Sequence, residues 1–220
     1  MAEETLVKIP VGKLNLEGEL TIPQRAHGLV LFVHGSGSSR KSPRNRYVAQ
    51  VLNEAGIATL LFDLLSSKEE AVDLYSKEYR FNIELLAERL EKATDWAVKN
   101  QTTKHLSLGY FGASTGAAAA LMADTRTSHF IRAIVSRGGR PDLAHSYLPK
   151  VKAPTLLLVG GLDGIVIELN EKALSQLRCP KKLVIIKGAT HLFEEMGALE
   201  EVAEIAKECF LKYFSKSPFL

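Results

Sequence analysis

The sequence predicts an α/β fold built on a mostly parallel sheet with helices on both of its faces. Three observations support this prediction. Short apolar runs alternate with longer helical stretches, most of the apolar runs are continuous, and the first two β-rich segments have the pattern of a hairpin. Continuous apolar runs of strand length are typical of strands buried on both faces, as in a parallel sheet. Because parallel crossovers are almost always right-handed, few topologies fit this order.

The first strands are expected to form an antiparallel hairpin. Residues 5–10 and 14–22 are rich in strand-forming residues and flank the turn residues Gly12 and Lys13. Pro154 stands at the start of a later run, where a missing backbone N–H disturbs the ladder least. The six apolar runs that predict the remaining strands are 28–33, 57–62, 105–111, 130–136, 154–159 and 182–187.

Helices are predicted between these strands by their periodicity and caps. Residues 82–99 place their apolar side chains on one face, and residues 198–214 repeat this pattern. Residues 43–55 follow Ser42 and begin with a proline, which is the usual order of an N-cap and a first helical residue.

Composition and charge narrow the possible functions. The chain has 220 residues, a net charge of +3 and 46% hydrophobic residues, which predicts a single domain over residues 1–220. It lacks a basic stripe with interleaved aromatic residues, so no nucleic-acid partner is expected. No apolar run reaches the length of a membrane span, and the N-terminus lacks the apolar region of a signal peptide. We therefore expect a cytoplasmic monomer or homodimer without a membrane partner.

The two cysteines, Cys179 and Cys209, form no motif. They are far apart and lack metal-binding or redox spacing, so they are expected to be reduced thiols of a cytoplasmic protein. No cluster of histidine and acidic residues has the spacing of a metal site either. The sequence therefore predicts that the protein uses no metal and no other cofactor.

The strongest chemical signal is the pentapeptide Gly112-Ala113-Ser114-Thr115-Gly116. It follows the predicted strand 105–111 and opens an alanine-rich stretch of helical character. In such a turn the serine is strained, and side chains at the glycine positions would collide with neighbouring backbone. The helix N-terminus that follows favours developing negative charge. We therefore expect Ser114 to be a catalytic nucleophile.

A serine nucleophile needs a base, and His191 is the candidate. It follows strand 182–187, at the edge where the catalytic groups of open α/β sheets gather. Asp163 follows strand 154–159 in the same way, and the chain order Ser, Asp, His is that of one large class of hydrolases. The sequence therefore predicts that Asp163 orients His191.

The other acidic and histidine residues near strand ends are given lesser roles. Asp142 is the alternative acid, Asp63 is expected to cap a loop, and His34 is expected to shape the loop in which it lies. The remaining histidines are expected at the surface: His27, His105, His129 and His145.

Two backbone donors are needed where negative charge develops on the substrate. The N–H of Thr115, directly after the nucleophile, is the first. The second is expected from the loop His34-Gly35-Ser36-Gly37, most simply from the N–H of Ser36. The glycines of this loop allow the backbone to approach a substrate closely.

Arginines follow the carboxyl ends of two predicted strands. Arg40 and Arg44 come after the loop just described, and Arg137 follows strand 130–136. At that edge of the sheet they could bind an anionic part of a small-molecule substrate, and Arg137 lies closest to a strand end. The alternative is a solvated basic surface on which some arginines pair with Asp63 or Asp142.

Four motifs resemble those of the dienelactone hydrolase-like branch of the α/β-hydrolases: HGSGSS at 34–39, GASTG at 112–116, GGLD at 160–163 and GATH at 188–191. The resemblance extends from about residue 10 to the C-terminus. It implies an eight-stranded sheet with the hairpin at its edge, and cofactor-free hydrolysis of esters or lactones. Dienelactone hydrolases proper use a cysteine nucleophile, whereas this chain has Ser114, which favours a general carboxylesterase.

Alternatives to a small-ester hydrolase remain. The same three residues would also serve a thioesterase, a lactonase or a peptidase, and the scaffold could belong to a non-catalytic binding protein. Only residues 137–153 separate two of the predicted strands, too few for a large cap domain. The segment 64–81 is long enough to fold over the pocket, and it could equally be a charged surface loop.

Overall fold

Eight strands form one sheet in the computed structural model, which describes residues 3–215. Their order across the sheet is β1-β2-β4-β3-β5-β6-β7-β8. The pairs β1–β2 and β2–β4 are antiparallel and the other neighbours are parallel, so the predicted mostly parallel sheet with an N-terminal hairpin is confirmed. The strands are β1 (Glu3–Val11), β2 (Leu14–Ile22), β3 (Gly28–Val33), β4 (Ala58–Phe62), β5 (Ser107–Ala113), β6 (Ile131–Arg137), β7 (Thr155–Gly160) and β8 (Lys181–Ile186).

Helices connect the strands across both faces of the sheet. Three of them agree with the sequence prediction to within one residue at each end, because periodicity and capping residues define them: α1, α3 and α6. A 3₁₀ segment, Pro141–Lys150, lies between β6 and β7, where no large cap domain is inserted. The helices are α1 (Pro43–Glu54), α2 (Ser67–Ser76), α3 (Ile83–Lys99), α4 (Thr115–Arg126), α5 (Gly164–Gln176) and α6 (Ala198–Phe214).

The central strands are buried on both faces, and their side chains alternate between two apolar layers. Tyr110 of β5 packs into the layer that contains α3 and α4, whereas its neighbour Phe111 packs into the layer formed by α1 and α6. Both side chains are fully buried. This two-sided burial explains the continuous apolar runs of the sequence. Because the central strands are parallel, their carboxyl ends lie at the same edge of the sheet, where the loops that follow them meet.

The segment 64–81 contains a helix, α2, that the sequence prediction did not specify. Ser66 and Glu69 form a reciprocal capping box at its start, a signal that the sequence does contain. Buried Asp73 accepts hydrogen bonds from the backbone N–H groups of Tyr79 and Arg80 and pairs with the Arg80 guanidinium. The segment borders a cleft that it shares with the loop after β3.

Among residues 3–215, no helix has the length and apolar character needed to cross a membrane.

Candidate active site

Ser114 occupies a sharp turn between β5 and α4. Its backbone has φ 50° and ψ −122°, an unfavourable conformation for a residue with a side chain. A Cβ at Gly112 would lie 2.5 Å from the Cα of Ala117, and one at Gly116 would lie 2.1 Å from the carbonyl oxygen of Val33. Both glycines of the motif are therefore required by contacts with backbone, as the sequence predicts for a nucleophile turn.

Asp163 and His191 meet at the ends of β7 and β8. The Nδ1–H of His191 donates a hydrogen bond to Asp163 Oδ2 over 2.6 Å. Their two loops are also joined through backbone, since the N–H of Leu162 donates to the carbonyl oxygen of Ala189. A Cβ at Gly160 would lie 2.5 Å from the carbonyl oxygens of Ala189 and Thr190, so glycine permits this close approach. The arrangement holds the imidazole in one orientation and leaves Nε2 as the free acceptor.

The backbone after β6 brings the serine turn and the histidine loop together. The N–H of Ser114 donates to the carbonyl oxygen of Arg137 over 3.2 Å. The next residue, Gly138, lies against His191, because a Cβ there would be 3.5 Å from the imidazole Cε1. Within residues 3–215 the Ser114 hydroxyl makes no hydrogen bond to His191. Catalytic hydrogen bonds often form or shorten only when substrate binds.

The loop after β3 packs directly on the serine turn. A Cβ at Gly35 would lie 3.0 Å from the Cβ of Ser114 and 3.1 Å from the carbonyl oxygen of Ala113, so a larger residue would crowd the serine turn. The N–H of Ser36 donates to the hydroxyl oxygen of Thr115 over 2.9 Å. The two backbone segments expected to supply oxyanion donors are therefore adjacent, and one of the donors is bound to a side chain of the protein itself.

His34 fixes this loop to the end of β4. It is buried, its Nδ1 donates to the carbonyl oxygen of Gly35 over 3.0 Å, and its Nε2 accepts from the N–H of Leu64 over 3.1 Å. Burial lowers the pKa of the imidazole, against smaller opposing effects of Gly35, Asp63 and Glu70. A neutral imidazole is required for this pair of bonds, so His34 acts within the structure of the loop.

The three candidate arginines lie in different surroundings. The Arg40 guanidinium pairs with Glu17, Glu19 and Asp63, so its charge is already compensated within the protein. Arg44 donates to Glu194 over 2.9 Å and is partly exposed. Arg137 is buried, donates from Nη2 to Asn45 Oδ1 over 3.2 Å and lies 5.9 Å from the centre of the Phe193 ring.

Other candidates lie apart from this group. Asp142 pairs with Arg140 rather than with a histidine, and His129 pairs with Asp95. Asp63 accepts from the backbone N–H of Arg40, which is the loop-capping role expected of it. Among the described residues, no group of three histidine, cysteine or acidic side chains is arranged to hold a metal ion.

Several residues beside the site have no signal in the sequence. Asn45 lies in the first turn of α1 and contacts Arg137, which is 92 positions away. Phe193 is buried two residues after His191, with a left-handed backbone at φ 56°. Glu194 pairs with Arg44 across 150 positions. Such contacts depend on the packing of distant segments, which periodicity and motifs do not specify.

Comparisons with known proteins place this chain among hydrolases. The sequence profile of the dienelactone hydrolase family matches residues 18–216. The solved structure of a dienelactone hydrolase from Anabaena variabilis ATCC 29413 is 59% identical, covers 96% of this chain and 98% of its own, and has a TM-score of 0.95. Est1E from Butyrivibrio proteoclasticus is 19% identical, with a TM-score of 0.79 over 96% of this chain and 99% of its own, and shows the fold alone.

Curated proteins of Mycobacterium tuberculosis, from strains CDC 1551 / Oshkosh and ATCC 25618 / H37Rv, are 51% identical over 207 residues. They are provisionally named phosphoribosyl transferases. The match covers 94% of this chain and 46% of each relative, so the chain spans about half the length of these curated relatives. The family profile and the solved dienelactone hydrolase support a hydrolase, and the chain belongs to the dienelactone hydrolase family.

Proposed function

We propose that this chain is a serine hydrolase that cleaves small carboxylic esters or lactones through an acyl-enzyme. The observation that carries the proposal is the position of Ser114. Its strained backbone is hydrogen-bonded to Arg137, and the next residue, Gly138, contacts His191, which is bonded to Asp163. Backbone strain of this kind, next to an oriented imidazole, is typical of an activated nucleophile. Membership of the dienelactone hydrolase family supports the same reaction class.

In the proposed first step, the Ser114 hydroxyl attacks the ester carbonyl carbon while His191 Nε2 takes its proton. Asp163 accepts from the opposite ring nitrogen, which fixes the tautomer and stabilises the imidazolium that forms. Formation of the Oγ–carbon bond moves an electron pair onto the carbonyl oxygen. When this pair returns, the bond to the alcohol breaks and His191 protonates the leaving oxygen.

The developing oxyanion would accept hydrogen bonds from the backbone N–H groups of Thr115 and Ser36. Thr115 is the first residue of α4, so the helix dipole adds to its effect. For this, the Ser36 N–H must break its hydrogen bond to the Thr115 hydroxyl and donate to the oxyanion instead. Water then repeats the sequence on the acyl-enzyme, and every group that this mechanism uses belongs to the chain.

The surroundings of the site support small substrates. The connection between β6 and β7 contains one 3₁₀ segment, and α2 lies beside the loop after β3. We assign no phosphoribosyl transfer to this chain, because the Ser-His-Asp arrangement transfers acyl groups. More than half of each Mycobacterium tuberculosis relative also lies outside the matched region.

The test combines covalent labelling with ester turnover. A fluorophosphonate probe is expected to label the wild-type chain and not Ser114→Ala. Ser114→Ala and His191→Ala should each lower kcat for a nitrophenyl ester by about four orders of magnitude or more, and Asp163→Asn by less, with melting temperatures unchanged. A panel of esters, thioesters and lactones identifies the preferred bond. Wild-type turnover by Ser114→Ala would refute the mechanism, and an absence of labelling would indicate a non-catalytic binding protein.

A further inference from the structure

Arg137 is a buried arginine without a carboxylate partner. Two arginines of the described chain are more than nine-tenths buried, Arg89 with 7% and Arg137 with 8% of the residue surface exposed. Arg89 donates to Glu69 over 2.7 Å. Arg137 has no acidic neighbour among its contacts within residues 3–215: its partners are the amide oxygen of Asn45 and the ring of Phe193.

The charge of Arg137 is therefore incompletely compensated. Its Nε is buried and has no hydrogen-bond partner in the described part of the chain. Burial, with a further contribution from the charge of Arg44, lowers the pKa of the guanidinium to about 10, so it stays protonated at neutral pH. Buried charges in proteins are normally paired, because a buried charge without a partner strongly destabilises the folded state. An anion at this place would compensate the charge of Arg137.

The first turn of α1 adds further positive potential at this place. Asn45 belongs to that turn, which contains Arg44 and no acidic residue. A helix N-terminus carries a partial positive charge, so an arginine there is unfavourable unless an anion lies nearby. Arg44 Nε is also buried without a partner among the described residues. Of the two arginines, Arg44 has an acidic partner among the described residues, Glu194, and 64% of the Glu194 side chain is exposed.

These cationic groups lie next to the proposed catalytic residues. The carbonyl oxygen of Arg137 accepts from the N–H of Ser114, and the following residue, Gly138, contacts His191. Phe193, whose ring lies over the guanidinium, is two residues from His191. The Arg137 guanidinium is therefore joined to the histidine loop through the Phe193 ring, and an anion bound to it would lie on the Phe193 side of the proposed catalytic residues.

We propose that Arg137, Arg44 and the first turn of α1 bind a phosphoryl group. Two guanidinium groups match the double charge of a phosphate. The N–H groups of Asn45 and Arg46 are bonded to Ser42, so the backbone donor that the first turn can add is the N–H of Arg44, at a helix N-terminus that favours a phosphate. A carboxylate offers one negative charge and two acceptor oxygens, fewer than a phosphate offers to the same donors. The phosphoryl group belongs either to the ester substrate, an assignment that rests on the proposed function, or to free inorganic phosphate.

Binding is tested with inorganic phosphate on the full chain, by calorimetry and by thermal melting at constant ionic strength. We expect phosphate to bind and to raise the melting temperature of the wild type, and Arg137→Met and Arg44→Gln each to weaken binding by about tenfold or more. Arg46→Met is the matched control, because Arg46 lies in the same helix but pairs with Glu19 and is half exposed. Equal affinity of wild type and Arg137→Met, acetate binding as tightly as phosphate, or no binding would overturn the proposal.

Asn45→Asp provides a second test that does not remove the arginine. This change supplies, at the atom already bonded to Arg137, the carboxylate that the guanidinium lacks. We expect Asn45→Asp to raise the melting temperature in phosphate-free buffer and to abolish the further increase caused by phosphate. An undiminished response to phosphate in Asn45→Asp would show that the anion binds elsewhere.

Kinetics distinguish the two sources of the phosphoryl group. If it belongs to the substrate, phosphate inhibits hydrolysis of a neutral nitrophenyl ester competitively, and a phosphate-bearing ester loses more kcat/KM than a neutral one in Arg137→Met. If the site holds free phosphate, phosphate binds without competing with the neutral ester. Arg137→Met then changes kcat/KM equally for the neutral and the phosphate-bearing ester. Calorimetry on Ser114→Ala reports the anion site even if no ester is hydrolysed, so failure of the proposed function and failure of this site are separable.

Discussion

The backbone N–H of Ser36 donates to the hydroxyl oxygen of Thr115, 79 residues away, over 2.9 Å. In the proposed mechanism both residues donate to the oxyanion of a reacting ester, so the hydroxyl occupies one of the proposed donors. The bond also joins the loop after β3 to the first residue of α4. In the proposed mechanism the transition state must therefore displace this hydroxyl from the Ser36 N–H, at a cost of about 1 kcal/mol for a neutral hydrogen bond.

Thr115→Val should remove this competition while preserving the shape of the side chain. We expect kcat for a nitrophenyl ester to be retained or to rise by up to about fivefold, because the transition state no longer displaces a hydroxyl. The free protein should lose about 1 kcal/mol of stability, since the Ser36 N–H is left without its partner. Steady-state kinetics and urea unfolding measure the two effects. A fall in kcat of about a hundredfold would instead show that the hydroxyl itself stabilises the oxyanion.

The strained backbone of Ser114 leads to a prediction about stability. At φ 50° and ψ −122° a side chain costs about 1–3 kcal/mol, which glycine avoids. Ser114→Gly and Ser114→Ala both remove the hydroxyl, so their difference reports the strain. The unfolded glycine variant has more chain entropy, which lowers its free energy of unfolding by about 0.5–1 kcal/mol and offsets part of the relieved strain. We therefore expect the free energy of unfolding of Ser114→Gly to exceed that of Ser114→Ala by about 1 kcal/mol. If the turn stored no strain, Ser114→Gly would instead be less stable than Ser114→Ala by about 0.5–1 kcal/mol, and that result would contradict the prediction.

The sequence predicts those parts of the fold that local patterns determine. Helix α1 begins where Ser42 and Pro43 indicate, and the strands follow the apolar runs, because two-sided burial imposes a continuous pattern. The apolar pattern does not predict helix α2, because its Val72 and Leu74 side chains are exposed and the buried residue that holds the segment is Asp73. Its stability depends on a polar contact rather than on an apolar face, so periodicity gives no signal.

The candidate site also contains residues that the sequence predicts and a contact that it does not. Ser114, Asp163 and His191 stand in motifs at strand ends, so topology alone predicts that they lie at one edge. The contact between Arg137 and Asn45 has no such motif, because it depends on how α1 packs across the end of β6. The sequence suggests that an arginine is present at this edge, but only the packing shows that its charge lacks a carboxylate within the described residues.

His34 predicts a dependence of stability on pH. Its pKa in the folded protein is lowered, chiefly by burial, from the ordinary value of 6.5, so the unfolded chain binds more protons just below that pH. The contribution of His34 to stability is therefore complete above pH 6.5 and is lost as the pH falls from 6.5 toward the folded-state pKa. His34→Gln can still accept from the Leu64 N–H but does not titrate. Urea midpoints measured across this range should fall more steeply for the wild type, and parallel curves would contradict the prediction.

Gly160 controls the approach of the histidine loop to the end of β7. A Cβ there would lie 2.5 Å from two carbonyl oxygens, those of Ala189 and Thr190, so Gly160→Ala must displace the backbone that carries His191. A displacement of about 1 Å at a catalytic group costs about a hundredfold in rate, and we expect kcat of the ester to fall by about that factor.

Gly164→Ala is the matched control for this prediction. Gly164 is the first residue of α5, directly after Asp163, and a Cβ there would have no neighbour within 4 Å. Alanine is the better helix former by about 0.8–1 kcal/mol in a helix interior, so at this first position we expect unchanged kcat and equal or slightly higher stability. Stopped-flow and steady-state kinetics on both variants, with melting temperatures, separate catalysis from folding. If Gly160→Ala turns over the ester as fast as Gly164→Ala does, the position of the histidine loop does not limit the reaction.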